Sequence, residues 1–586
     1  MINQNFKFSN IQWSKVGDLI IPLSMEQFSN PGNNLRTIQK SLSLSDITGS
    51  KMTIDEIIQN LGRLPLLFWI NFVSSISTFL AIKGQNNFEL QRSLALDYST
   101  GKYQEIIINK VENERYYLFI PITLASLIKL SLSYSPSEDI KFDEDPIFLA
   151  TTTYLGLNDH VNNSVKNLID TDPELALKKY FIQNSIFGSP FNLQERALRI
   201  WKLLYHYPTL VSPDNLPNDI FIEKRNIDIE LYLSISICIF LFNNQIDFNS
   251  SESISMYLPI KLDYTFSPTV LSETQITDFF NGLIIDETKL EELKQQDVNS
   301  DFYFYDFSAL KQNPIYKIRE GLYIPLFYPF FAQRITENVY WEIFDYMKEN
   351  PSYNHQNFAT KFGKYLERYI QDIYKSLYSD SDVLSKRIWI EPKINSNDPS
   401  PDILIYYPDA YIFIEIKASR FKYENTLVKG KDEAIDDDLR KMVCEPVEQI
   451  SKSINFFKSG GLSELGLQYK GETIYPIIIT YDSLPTVEIF GPLIKQLLKE
   501  KGLDATLVDT LLHIDIEEAF SLASLVSKNI PMIDIVRRKN SPEFKDIPFI
   551  NFIKDVYGDD SSSSIILKED FENFSLIIQN RLKNTG

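Results

Sequence analysis

PDILIYYPDAYIFIEIKA, residues 401–418, decides how the C-terminal part of this 586-residue chain folds. Residues 402–407 and 411–418 are two apolar runs rich in β-branched and aromatic side chains, and Pro408-Asp409-Ala410 between them has turn composition. Together they read as a β-hairpin. A tight loop at Pro408 and Asp409 pairs Tyr407 with Ala410, and counting back along both strands sets Asp402 opposite Glu415. Directly opposed residues share a face, with Cβ atoms about 4.5–5.5 Å apart. Side chains alternate along a strand, so Lys417 joins Glu415 on that face while Ile412, Ile414 and Ile416 take the other. Two opposed carboxylates repel and destabilise a sheet unless a cation lies between them. Mg²⁺ suits such a pair, because it binds through one or two carboxylates and keeps waters and phosphate oxygens as its other ligands. Lys417, a compact cation beside them, can hold an attacking water and screen phosphate charge.

Working outward, Phe358, Phe362, Leu366, Tyr369, Ile373 and Leu377 recur at three- and four-residue spacing, which predicts an amphipathic helix. Glu367 sits at the edge of that apolar stripe. Residues 388–390 make a short strand bounded by Pro392. After the hairpin, residues 436–457 are mostly helical in pattern, 474–480 form a buried strand, and 511–516 read as a late sheet edge.

The order helix, strand, Asp strand, Glu-x-Lys strand, helix, strand, with Pro401-Asp402 followed by Glu415-Ile416-Lys417, resembles the PD-(D/E)XK nuclease superfamily. Glu-x-Lys alone carries almost no information; the Pro-Asp at matching spacing, the apolar strands on both sides and the preceding helix with its glutamate carry the resemblance. It covers roughly residues 356–480. It implies an α/β, restriction-endonuclease-like domain with a central mixed β-sheet flanked by helices, and an endonuclease that needs Mg²⁺, or Mn²⁺ in its place, to hydrolyse phosphodiester bonds in DNA. In that reading Asp402 and Glu415 hold the metal with the carbonyl of Ile416 as a further ligand. Lys417 assists the water, and Glu367 completes the site or holds a second metal. Gln449, with Lys452, matches the Gln or basic residue that many members carry on the next helix. The resemblance also implies a bacterial setting, defence against phage or foreign DNA. A catalytically inactive scaffold or nucleic-acid-binding subunit on the same fold is the alternative, and RNA as substrate stays open.

Length predicts two to four domains. We divide the chain into an N-terminal region 1–300, mainly α-helical or α+β and acting as sensor, DNA-binding module or interface, a connecting β/α segment 301–355, and the nuclease domain with its extension, 356–586. The polar stretch 348–355 is the best boundary, with Pro351 disfavouring helix before it. A net charge of −20 argues against a protein that coats nucleic acid broadly, yet residues 356–470 hold 17 Lys and Arg against 18 Asp and Glu, which permits a local phosphate-facing cleft. Lys429, Lys431, Arg440 and Lys441 flank the acidic run Asp436-Asp437-Asp438, which reads as a solvated helix start. Two cysteines in unrelated contexts fit a reducing cytosol, and four scattered histidines build no metal motif. No glycine-rich phosphate loop occurs, which argues against NTP hydrolysis.

Within residues 1–300, 175–180 and 193–207 read as helix, 229–242 as helix or strand, and 214–220 and 291–300 as loops. Residues 302–347 look like short strands followed by an apolar helix. The uncharged stretch 64–82 has the length of a membrane span, but its proline, asparagine and hydroxyl residues favour a buried helix. With no secretion signal at the start, the expectation is a cytoplasmic protein with no membrane partner, acting on DNA with a partner protein or as a homo-oligomer.

Overall fold

The computed structural model describes residues 13–16, 19–22 and 41–584, apart from 84–87, 115, 139–144, 172–192, 212–216, 245–259, 262–270, 300–302, 305, 380–386, 421, 423–431, 483–494, 496–497, 546 and 559–567. The chain divides into two compact units, Met1–Asn33 with His355–Phe574, and Asn34–Asn354 with Ser575–Gly586. The main break falls at the end of the polar stretch 348–355. Residues 301–354 belong to the N-terminal unit instead of standing as a connector, and the two chain ends are exchanged between the units.

The C-terminal unit is built on a five-stranded mixed sheet. Its strands are β1 (Ile388–Ile390), β2 (Ile403–Tyr407), β3 (Ala410–Lys417), β4 (Thr473–Thr480) and β5 (Leu512–Asp515), in spatial order β5-β4-β3-β2-β1. β1, β2 and β3 are antiparallel; β4 runs parallel to β3, and β5 parallel to β4. The hairpin register is the expected one: Tyr407 pairs with Ala410 and Ile403 with Ile414. Helix α1 (His355–Ser379) precedes the sheet, α2 (Glu445–Lys458) follows β3 and α3 (Ile516–Ser527) follows β5.

Alternation divides the buried strand residues between two faces. Leu404, Tyr411 and Phe413 pack against Ile450, Ile454 and Phe457 of α2, with the Phe457 ring 4.7 Å from Tyr411 and 5.6 Å from Phe413. Ile403, Ile405, Ile412, Ile414 and Ile416 are fully buried on the other face. There α1 approaches closely enough that a side chain at Gly363 would touch Ala418. α1 in turn packs on α3, with Tyr369 against Phe520 at 5.6 Å and the Tyr374 hydroxyl donating to the Ala519 carbonyl at 3.1 Å. The sheet is therefore covered on both sides, and its chemistry is confined to the end where Asp402 and Lys417 emerge.

The N-terminal unit is mainly helical. Residues 229–242, where helix and strand were both open, lie in a helix, Ile229–Asn244. Residues 193–207 are helical, continuing into a π-helical turn Lys202–His206. Two expected loops are partly helix. Pro217 opens a helix, Pro217–Arg225, since a missing N–H is harmless in the first turn. Asp286 caps Glu287–Lys294, a helix that buries Leu293 and carries Lys289–Glu292 and Glu291–Lys294 pairs at 2.7 Å on its exposed side. Residues 302–347 contain strands Ile315–Arg319 and Leu322–Pro325 and then two helices. The expected helix at 175–180 lies outside the described residues. Residues 64–82 fall largely in helix Leu66–Lys83, whose Trp69, Ile70, Phe72, Val73 and Ile76 are fully buried. Its buried Ser77 and Thr78 hydroxyls donate to the Ser74 carbonyl. Among the described residues no single helix is long and apolar enough to cross a membrane; Ile54–Leu61 and Leu66–Ile82 reach that length only as a pair bent by 106°.

Candidate active site at the open end of the sheet

Continuing the hairpin register by one pair beyond Ile403 and Ile414 brings Asp402 opposite Glu415. The backbone confirms the approach, since the Ile416 N–H donates to Asp402 Oδ2 at 2.6 Å. A strand residue directs its N–H and C=O to the same side, so the Ile416 carbonyl also opens toward Asp402. Glu415 is only 4% exposed. Its Oε1 lies 2.7 Å from Lys417 Nζ, while its Oε2 is buried and without a hydrogen-bond partner. A buried carboxylate oxygen left unpaired is costly and demands an explanation.

The electrostatics tie four side chains together. Burial, then the charge of Asp402, pushes the Glu415 carboxyl up, against the pull of Lys417. Burial likewise raises Asp402, while the Ile416 N–H and Lys417 hold it down. Glu367, on α1, is pushed up to about 7 by burial and then by Asp402. Burial alone would lower the Lys417 ammonium, but Glu415, Asp402 and Glu367 raise it instead. Asp402, Glu415, Lys417 and Glu367 are thus brought together.

Gln449 is exposed on α2, while Ile450, Ile454 and Phe457 turn to the sheet. Lys452 pairs with Glu448 at 2.9 Å.

One residue at this end was not singled out from the sequence. Glu391, directly after β1, donates its N–H to the Asp402 carbonyl at 3.0 Å, and its charge acts on both Asp402 and Glu367. Lys393, 2.9 Å from Glu391 Oε2, holds this carboxyl below its usual range. The signal available was slight, an acid closing a three-residue strand.

Asp437 and Asp438 of the acidic run hold Lys422, beyond Lys417. Asp438, 2% exposed, accepts the Lys422 N–H at 2.7 Å. Asp437 pairs with Lys422, with Arg440 at 2.6 Å and with Lys441 at 2.9 Å. Burial opposes ionisation, yet these cations hold Asp437 well below the usual carboxylate range. Lys429 and Lys431 lie outside the described residues. Asp438→Ala is expected to lower stability by about 1–3 kcal/mol, the cost of a buried N–H left unpaired. The measurement is the urea midpoint.

The donors at the open end are all oxygens, the set that suits Mg²⁺ or Mn²⁺. Among the described residues no three acidic, His or Cys side chains are arranged to enclose an ion by themselves. Two carboxylates, one of them with an unpartnered buried oxygen, and one carbonyl fit an ion that completes its shell with water and substrate. No family model, curated protein or solved structure matches this chain.

Proposed function

We propose that the C-terminal unit is a metal-dependent endonuclease that hydrolyses phosphodiester bonds in DNA, on a restriction-endonuclease-like fold of the PD-(D/E)XK type. The observation that carries this reading is Glu415 Oε2, buried opposite Asp402 with no protein partner and with Lys417 beside it. Asp402, Glu415 and the Ile416 carbonyl would hold Mg²⁺. When bound, the ion supplies Lewis-acid polarisation of a phosphate oxygen and lowers the pKa of a bound water. Lys417 Nζ, partly exposed, would orient the attacking water and offset charge on the phosphate. Glu367, with its carboxyl raised toward neutrality, would accept the water's proton at its carboxylate oxygen. The closed faces of the sheet leave the substrate only the end of β2 and β3.

The test is nicking of supercoiled plasmid by the full chain with Mg²⁺, Mn²⁺ or EDTA. Cleavage with either ion and none with EDTA is expected. Lys417→Ala should slow it by about 10–100-fold, within the range for groups supporting a metal site or assisting proton transfer. Cleavage that persists in EDTA, or an unimpaired Lys417→Ala, would discard the mechanism; RNA cleaved in preference to DNA would move the substrate class.

A further inference from the structure

We propose that Glu391, acting through Gln371, is a positioning residue that fixes the helix glutamate Glu367 relative to the strand aspartate Asp402; this rests on the metal-site reading above. Gln371 lies one turn beyond Glu367 on α1 and is 4% exposed. Its Nε2 is 3.5 Å from Glu391 Oε1 and 3.5 Å from the Asp402 carbonyl. That amide is the stitch between the helix and the strand at this end of the sheet. Glu391 holds it from one side with a carboxylate oxygen and grips the same Asp402 carbonyl through its own N–H at 3.0 Å.

Three further observations favour positioning over ligation. Both Glu391 oxygens have protein partners, Oε1 with Gln371 and Oε2 with Lys393, whereas Glu415 keeps one oxygen unpartnered. Glu391 also adopts φ +43°. Among the described residues the other non-glycine residues with positive φ are Asn226 and Asn529, the type that tolerates this region. A glutamate held there is disfavoured and persists only where its surroundings fix it. Finally, its side chain is exposed beside Lys393, whereas Glu415 is buried. Groups that orient metal ligands from behind change affinity or activity by about 10–100-fold when removed.

The experiment uses the full chain, with Mn²⁺ binding followed by electron paramagnetic resonance and plasmid nicking at saturating Mn²⁺. Glu391→Ala is expected to weaken Mn²⁺ binding or lower kcat by about 10–100-fold while KM for plasmid stays within about twofold. Glu391→Gln, which keeps an acceptor oxygen for Gln371, should stay within about threefold of wild type on the same scale. Glu391→Gly suits the backbone at φ +43° and so guards against misfolding; it should show the alanine loss. Gln371→Ala should lose at least as much as Glu391→Ala, because it also removes the contact with the Asp402 carbonyl, and the double variant should be no worse than Gln371→Ala. Glu391→Ala and Glu391→Gly indistinguishable from wild type would overturn the proposal, as would Glu391→Gln as damaging as alanine, which would make the charge a ligand. A wild-type chain that binds no Mn²⁺ would remove the metal site itself, and this inference with it.

Discussion

Glu415→Gln is expected to abolish metal-dependent cleavage, by about 10³-fold or more, and to flatten the loss of stability of the metal-free protein between pH 5 and 8. The first effect exceeds the 10–100-fold range of outer-shell partners because this side chain offers the one unpartnered buried oxygen of the site. The second follows from linkage. Glu415 and Glu367 ordinarily titrate near 4.5 and are raised in the folded chain, Glu367 to about 7. At these two groups the folded state therefore holds more protons than the unfolded one, so their contribution to stability is complete below about pH 4.5 and is lost as pH rises through neutrality. Glutamine at 415 removes one such group and relieves Asp402 and Glu367 of its charge. Urea midpoints measured in EDTA at several pH values give the slope, and parallel slopes for wild type and variant would refute the account.

The same crowding predicts a large response to divalent ions. Mn²⁺ at 1,000 times its Kd should stabilise the chain by about 4 kcal/mol, since an ion that binds only the folded state shifts unfolding by mass action. For a unit of this size that is a rise of roughly 8–16 °C in melting temperature. The rise should grow from pH 6 to pH 8, as the carboxylates lose the protons that compete with the ion. It should vanish in EDTA, in Asp402→Asn and in Glu415→Gln. An equal rise in those variants would place the ion elsewhere.

The hairpin was legible because two constraints agree there. Alternation fixes which side chains share a face, and the short Pro408-Asp409 turn leaves one register, so Asp402 could be set against Glu415 by counting. Glu391 was not legible for the opposite reason. Ten residues lie between Glu391 and Asp402 in sequence, and a connection that long leaves the pairing of β1 with β2 free until the sheet is built. Gln449 was chosen by resemblance alone, since one polar residue on an amphipathic helix carries no signal of its own. In the N-terminal unit, Pro217 and the polar stretch 291–300 looked like loop because proline and polarity were weighed without helix position; Pro217 opens a helix and residues 291–294 close another.

The hairpin also sets an order of events while the chain is being made. β2 and β3 are adjacent in sequence and can close within about 1–10 μs, whereas Lys417 finds Thr480 only after a further stretch of chain and a helix have been added. On a ribosome, Asp402 and Glu415 meet while β4 and β5 are still unsynthesised. Their repulsion is then met in water, where two unit charges 4 Å apart cost about 1 kcal/mol. The penalty becomes large only when the parallel strands and α2 shut the solvent out. On the proposed reading, a divalent ion can therefore be loaded during assembly, at the stage when the pair is formed and the door is open.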